Sequence, residues 1–128
     1  KLKINLIIKI LYIAFGGAIG SVLRFSISNF FKFYYPSFPL GTLFVNIFGS
    51  FFIGLFVGYL NNKGVTEYLI RYFLIIGVLG SFTTFSAFSI DAIELFKQDR
   101  MYLSLIYIII SVFLSIFAAC FGFIVIKL

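Results

Sequence analysis

The amino-acid sequence predicts an all-α membrane protein with four transmembrane helices, the third of them broken, that assembles as an antiparallel, dual-topology homodimer. Three observations lead to this prediction. Hydrophobic residues make up 62% of the 128 residues and charged residues only 11%, which is far from the mixture of a soluble domain. Uncharged stretches of bilayer length recur along the chain. Glycines and hydroxyl side chains interrupt one of those stretches.

The spans account for most of the chain, which we treat as a single transmembrane domain over residues 1–128. Helices are predicted at about 6–31, 40–60, 66–96 and 101–126, with the break in the third near 80–84. Charges are absent from the second and fourth of these ranges, and about 20 residues of helix cross roughly 30 Å of hydrocarbon. A retained first helix is preferred to a secretory signal because Arg24 and a further apolar stretch follow at once.

The residue inventory excludes most catalytic chemistry. Histidine is absent, Cys120 is the single cysteine and only four residues are acidic, so transition-metal ligation and nucleophilic triads lack material. We expect no enzyme. The net charge of +6 comes from basic residues spread along the chain, which favours lipid headgroups over nucleic acid as partners.

The distribution of charge gives the chain little preference for one orientation. With four spans both termini share one side, which then carries six basic residues against four on the other, so the positive-inside bias is weak. The six are Lys1, Lys3, Lys9, Lys63, Arg71 and Lys127, and the four are Arg24, Lys32, Lys97 and Arg100. The chain is therefore predicted to insert both ways, and a two-fold dimer is the simplest closed assembly of such copies.

Polar or small residues recur at helical spacing in two spans, and each set therefore lies on one helix face. The sets are Thr42, Asn46, Ser50, Gly54 and Gly58 in the second span, and Ser104, Tyr107, Ser111 and Ser115 in the fourth. Taken singly, each polar residue has an ordinary explanation. An amide can hold helices together, and a serine can bond the carbonyl one turn back.

The third span carries the most informative segment, Gly80–Ser89, in which five hydroxyl side chains stand among three phenylalanines. Glycines followed by Thr83 and Thr84 weaken a helix at that point, which predicts a break. A broken membrane helix exposes carbonyls that hold a cation and amides that hold an anion. An intact helix with packing glycines is the alternative.

Other side chains near this segment have two interpretations. Phe85 and Phe88 share a helix face, and their positive ring edges can contact an anion, although the sequence alone favours lipid-facing or core positions for them. Arg24 either reaches the interface or collects anions in an aqueous vestibule. The charged residues that follow are interpreted as a solvated loop: Asp91, Glu94, Lys97, Asp99 and Arg100.

Three segments resemble motifs of the small fluoride channels called the Fluc or CrcB family. They are Gly16–Arg24, Gly41–Phe51 and Gly80–Ser89, and the resemblance covers nearly the whole chain. Two positions depart from the family pattern. Ala87 stands where threonine is usual, and Asp91 where glutamate is common.

The resemblance implies passive export of cytoplasmic fluoride through two pores of an antiparallel homodimer in the lipid of a bacterial inner membrane. Asn46 would donate its amide to fluoride, and Phe85 and Phe88 would offer ring edges. Backbone carbonyls of Gly80 and Thr83 would hold a structural Na⁺ on the two-fold axis, without any organic cofactor. The other residues implied are Thr84, Ser86, Tyr107, Ser111 and Ser115 in the fluoride pathway, and Arg24 in the vestibule.

Two rival functions stay open at this point. A small multidrug-type dual-topology transporter shares the four short spans, but it needs a membrane carboxylate for proton coupling. Only Asp91 and Glu94 come near that requirement, toward the end of the third span. A structural membrane subunit, whose glycines and serines serve packing alone, is the other rival.

Overall fold

The computed structural model describes residues 2–63 and 68–126, with side chains over 5–62 and 68–126, and over these residues it contains only helices. They are α1 (Leu2–Tyr34), α2 (Leu40–Lys63), a π-helix (Leu69–Leu79), the single turn α3 (Gly80–Phe82), α4 (Phe85–Lys97) and α5 (Met101–Val125). Lys1, residues 64–67 and Lys127 lie outside the described residues. The predicted start of the third span at residue 66, and two of the basic residues counted for membrane orientation, Lys1 and Lys127, therefore lie outside the described structure.

The predicted four-span, all-α architecture is confirmed. Within the described ranges, four helical stretches are long and apolar enough to cross a bilayer: Asn5–Tyr34, Leu40–Asn62, Leu69–Lys97 and Met101–Val125. The π-helix, α3 and α4 together form the third span. Helix α1 is longer than the predicted range 6–31, because the first helix-breaking residue after it is Pro36.

The turn between α4 and α5 is tight. Asp99 has a φ of 57°, in the left-handed region. Its N–H bonds the Phe96 carbonyl (3.1 Å) and the Arg100 N–H bonds the Leu95 carbonyl (3.0 Å), the paired bonds of a Schellman motif. The chain therefore reverses within three residues, and α5 runs back beside α4.

The helices pack mainly as two pairs, α2 with α5 and α1 with the π-helix. Glycines permit the close approach in the first pair. A Cβ at Gly54 would collide with the Ala119 carbonyl of α5, and a Cβ at Gly122 would collide with the Phe51 carbonyl of α2. In lipid no hydrophobic driving force acts between helices, so the close packing that small residues permit is what stabilises such a pair.

The buried core is small and lies beside the third-span break. Tyr107 and Val45 have no exposed surface, and Tyr107 forms one cluster with Phe88, Ala92 and Leu95. Many of the other large apolar side chains are exposed on the isolated chain. Such outward faces suit contact with lipid or with a second copy.

Substitutions at Gly20 and Gly17 on α1 test the close packing of α1 on the π-helix. A Cβ at Gly20 would overlap the backbone carbonyl of Val78, whereas a Cβ at Gly17 would lie 3.2 Å from the movable Ser81 hydroxyl. Gly20→Ala should lower the free energy of unfolding by about 1–3 kcal/mol, the usual effect of overpacking. The measurement is thermal unfolding in detergent, with Gly17→Ala as the matched control. Equal midpoints for the two variants would contradict the packing described.

Candidate functional site

The third span is interrupted at two residues. Thr83 (φ −76°, ψ 151°) and Thr84 (φ −152°, ψ 124°) are extended, between the end of α3 and the start of α4. The predicted break is therefore present. Thr84 also begins the next helix, since its hydroxyl accepts the Ala87 N–H at 3.1 Å, as an N-cap residue does.

The side chain of Asn46 on α2 holds this break from the side. Its Nδ2 donates to the Thr84 carbonyl at 2.9 Å, and its Oδ1 accepts the Thr84 N–H at 2.7 Å. The Asn46 oxygen thus replaces the helical acceptor of the Thr84 N–H, and Nδ2 adds a donor to the Thr84 carbonyl, which as the N-cap carbonyl also accepts the first bond within α4. An amide carries two donor hydrogens, and the second one on Nδ2 has no acceptor among the described residues.

The break also releases two carbonyl oxygens from their usual helical donors. In a continuous α-helix the Gly80 carbonyl would accept the Thr84 N–H, which Asn46 takes instead. The Thr83 carbonyl would accept the Ala87 N–H, which the Thr84 hydroxyl takes. Released carbonyls at the unwound part of a membrane helix are suitable ligands for Na⁺.

A groove of about 420 Å³ runs along the break, between α2 and α5, and it carries no charged side chain among its lining residues. We call it the polar groove. Its lining consists of Asn46, Ser50, Gly80, Thr83, Thr84, Phe85, Phe88, Ser111, Val112, Ser115 and Ile116. The structure therefore brings together most of the site residues that the sequence indicated, and it adds Ser50 from the α2 stripe.

The serine hydroxyls of the polar groove make no hydrogen bond of acceptable geometry within the described part of the chain, although Ser111 lies near the Tyr107 hydroxyl. Ser111 is only 4% exposed and its Oγ makes no hydrogen bond of acceptable geometry; Ser50 and Ser115 likewise make none. Self-satisfied serines do occur elsewhere, since Ser26 and Ser89 each bond the carbonyl one turn back at 2.9 Å. The serines of the polar groove therefore differ from Ser26 and Ser89, because their hydroxyls do not bond the carbonyl one turn back.

The two groove phenylalanines have different surroundings. Phe88 is 7% exposed and Phe85 is 76% exposed, although their ring centroids are only 5.2 Å apart at 51°. Phe88 also packs on Tyr107 at 5.4 Å. Phe85 therefore lies on the open side of the groove.

A second cavity, of about 390 Å³, lies toward the α1–α2 loop and contains Arg24, Lys32, Asp91 and Glu94 among its lining residues. We call it the vestibule. The anion-collecting role of Arg24 stays a prediction. Its walls come from α1, the α1–α2 loop, the start of α2, and α4. The vestibule and the polar groove share no lining residue.

The interpretation of the charged segment as a solvated loop was wrong for its first members. Asp91, Glu94 and Lys97 belong to α4. Asp91 is half-buried, and its Oδ2 accepts the Tyr107 hydroxyl at 3.2 Å. The error arises because the helix continues past the apolar run and turns Asp91 inward, onto α5.

Two of the indicated pathway residues do not line the polar groove. Ser86 is exposed, and its Oγ lies 3.2 Å from the Thr84 hydroxyl. Tyr107 is fully buried and contacts residues of both cavities, Asp91 in the vestibule and Phe88 in the groove. Ser104 of the same stripe bonds the Ala92 carbonyl at 2.8 Å, which ties α5 to α4.

Loss of the Asn46 amide should destabilise the break more than loss of a peripheral amide. Asn46→Ala leaves the half-buried Thr84 N–H without a partner and removes one of the donors to the Thr84 carbonyl, which should cost about 1–3 kcal/mol of unfolding free energy. Asn62 on the same helix, with one exposed bond to the Ile126 carbonyl at 3.3 Å, supplies the control. Thermal unfolding in detergent should show a clearly larger shift for Asn46→Ala than for Asn62→Ala. Equal shifts would refute the bridging role.

Comparison with known proteins gives a consistent result. Residues 11–123 match the family model described as CrcB-like protein, Camphor Resistance (CrcB). A protein of Campylobacter jejuni named fluoride-specific ion channel FluC is 47% identical over 119 residues, covering 92% of this chain and 97% of its own. Proteins of the same name are 41% identical in Flavobacterium psychrophilum, over 92% of this chain and 96% of theirs, and 47% identical in Agrobacterium fabrum, over 90% and 93%.

Proposed function

The chain belongs to the CrcB-like family, and we propose from that premise that it is a fluoride-selective channel of a bacterial inner membrane. Fluoride would leave the cytoplasm passively, down its electrochemical gradient. The names of the relatives support the choice of ion. The polar groove supports it independently, because its chemistry suits a small anion.

The observation that carries the proposal is the set of unused donors in the polar groove. A buried hydroxyl without a partner is costly in a membrane protein, and Ser111 is such a group. An anion that accepts its hydrogen bond removes that cost. Ser50, Ser115 and the second hydrogen of Asn46 add donors along the same groove, so a fluoride ion can exchange its hydration water for them in steps.

Weak binding is as necessary as binding, since an ion that is held too tightly does not leave. The groove provides no lysine or arginine among its lining residues. Phe85 and Phe88 offer ring edges, whose partial positive charge attracts an anion without a full countercharge. Arg24 and Lys32 lie in the separate vestibule, where the carboxylates of Asp91 and Glu94 balance their charge.

A second copy of the chain would complete the pathway. The groove has an open side, on which Phe85 is exposed, and a bilayer-spanning ion path needs protein walls rather than lipid. We propose an antiparallel homodimer, formed by copies inserted in opposite orientations, with one polar groove in each copy. This assembly follows from the weak charge bias of the sequence and from the resemblance to the family.

The break is also where a Na⁺ ion would bind. The carbonyl oxygens of Gly80 and Thr83 have lost their α-helical donors to Asn46 and Thr84, so they fit a hard cation that prefers oxygen ligands. Within the described residues no group of three or more histidine, cysteine or acidic side chains could hold a metal. Carbonyls from two copies would surround the ion, and its contribution would be structural.

The drug-exporting alternative finds no support in the polar groove. Proton-coupled export of an organic cation needs a carboxylate in the path, and no acidic side chain is among the residues that line the groove. Asp91 faces the vestibule and is bonded by Tyr107.

Removal of the orphan hydroxyl tests the proposed conduction. Ser111→Ala should lower fluoride efflux from liposomes roughly tenfold, because loss of one hydrogen bond to an ion is worth about 1.5 kcal/mol or more. Ser26→Ala, which removes an exposed and self-bonded hydroxyl, is the matched control and should retain wild-type efflux. A fluoride electrode measures both. Wild-type efflux through Ser111→Ala would contradict the role given to the groove.

Orientation can be measured directly in cells. Fusion of the C-terminus to a reporter active only in the cytoplasm, and separately to one active only outside it, should give signals of comparable size for both. The expected reason is the six-against-four distribution of basic residues. A signal from one fusion alone would remove the antiparallel dimer. As a control, two added lysines on either side should shift the ratio of the two signals.

A further inference from the structure

We propose that Arg100 is a positioning residue for fluoride passage between the vestibule and the polar groove, acting through Phe38. Arg100 holds the α1–α2 loop, residues 35–39, against the α4–α5 turn. The loop in turn holds the Phe38 ring against Tyr107, in the partition between the two cavities. The inference rests on the proposed fluoride conduction and adds to it two residues from outside the groove.

The side chain of Arg100 joins the α4–α5 turn to the α1–α2 loop. The guanidinium Nη1 of Arg100 donates to the backbone carbonyl of Ser37, across 63 positions of sequence. The backbone of Arg100 is fixed independently, because its N–H bonds the Leu95 carbonyl and its carbonyl accepts the Ser104 N–H, both at 3.0 Å. The side chain therefore extends from an anchored turn and holds the neighbouring loop.

The α1–α2 loop contacts the buried core through Phe38. Phe38 follows Ser37 directly and is half-buried. Its ring meets the Tyr107 ring edge-to-face, with centroids 5.6 Å apart and an interplanar angle of 89°. Such aromatic pairs have a preferred geometry, so a displaced loop changes the contact on Tyr107.

Tyr107 contacts one lining residue of each cavity. It is 0% exposed and lines neither cavity, yet it donates a hydrogen bond to Asp91 of the vestibule and packs on Phe88 of the groove. On the proposed route, an ion that moves from one cavity to the other passes these residues. The packing of Phe38 on Tyr107, and of Tyr107 on Phe88, therefore sets the width of the connection between the vestibule and the polar groove.

Arg100 is distinguishable from an arginine that only attracts anions. Attraction depends on charge alone, is screened by salt and changes the fluoride concentration that gives half-maximal rate. Positioning depends on the hydrogen bond to the Ser37 carbonyl and changes the maximal rate. Lys97, also basic and exposed at the end of α4, provides a matched loss of charge.

The test is fluoride efflux from liposomes over a range of fluoride concentrations, normalised to incorporated protein. R100M should lower the maximal rate roughly threefold or more, the scale of one lost charged hydrogen bond at a partly exposed site, with little change in the half-saturating concentration. R100K, which still donates, should retain most of the rate. K97M should behave as wild type, because Lys97 lines neither cavity.

A double-mutant cycle tests the route through Phe38. F38L should reduce the maximal rate by itself, and R100M combined with F38L should be no slower than the slower single variant. Three results would overturn the proposal: a double variant whose rate loss is the product of the two single losses, a loss of maximal rate in K97M equal to that in R100M, or a wild-type maximal rate in R100M.

If R100M does not incorporate into liposomes, the F38L variant alone tests the proposal, and wild-type fluoride efflux through F38L would contradict it. Wild-type protein that passes no fluoride would instead remove the proposed function, and this inference with it.

Discussion

The pairing of the Asn46 side chain with the backbone of Thr84 is the interaction on which the rest of the structure depends. A membrane helix tolerates interruption only where protein or a bound ion satisfies the freed backbone groups. Asn46 accepts the freed N–H of Thr84 at 2.7 Å and also donates to the Thr84 carbonyl at 2.9 Å. With that support the third span can turn through two extended residues. The same turn places Phe85 and Phe88 on the groove and frees the Gly80 and Thr83 carbonyls from their helical donors.

Conduction and stability therefore make opposite demands on the same groups. The hydroxyls of Ser50, Ser111 and Ser115 lack partners, which is unfavourable for the fold but favourable for an ion that must be solvated on its way. The glycine contacts between α2 and α5, and between α1 and the π-helix, hold the scaffold rigid around them. Polar groups left unused inside a close-packed frame are what a passive ion path requires.

The sequence predicted the spans and the break because their causes are local. Uncharged runs define the spans, and two glycines, Gly77 and Gly80, followed by two β-branched threonines weaken the helix near Thr83. The stripes on the second and fourth spans also gave most of the groove, since spacing alone fixes a helix face. Three features could not be read in this way. The bridging role of Asn46, the inward turn of Asp91 onto Tyr107, and the bond of Arg100 to Ser37 are contacts between positions 16 to 63 residues apart, which the linear pattern does not specify.

The most direct test of the account is nuclear magnetic resonance of the protein reconstituted in lipid, with Thr83, Thr84 and Asn46 resolved. The account predicts extended rather than helical ¹³C chemical shifts at both threonines. It also predicts that the Asn46 side-chain amide resonances move on addition of sodium fluoride and not on addition of sodium chloride. Helical shifts at Thr83 and Thr84, or amide resonances indifferent to fluoride, would contradict it.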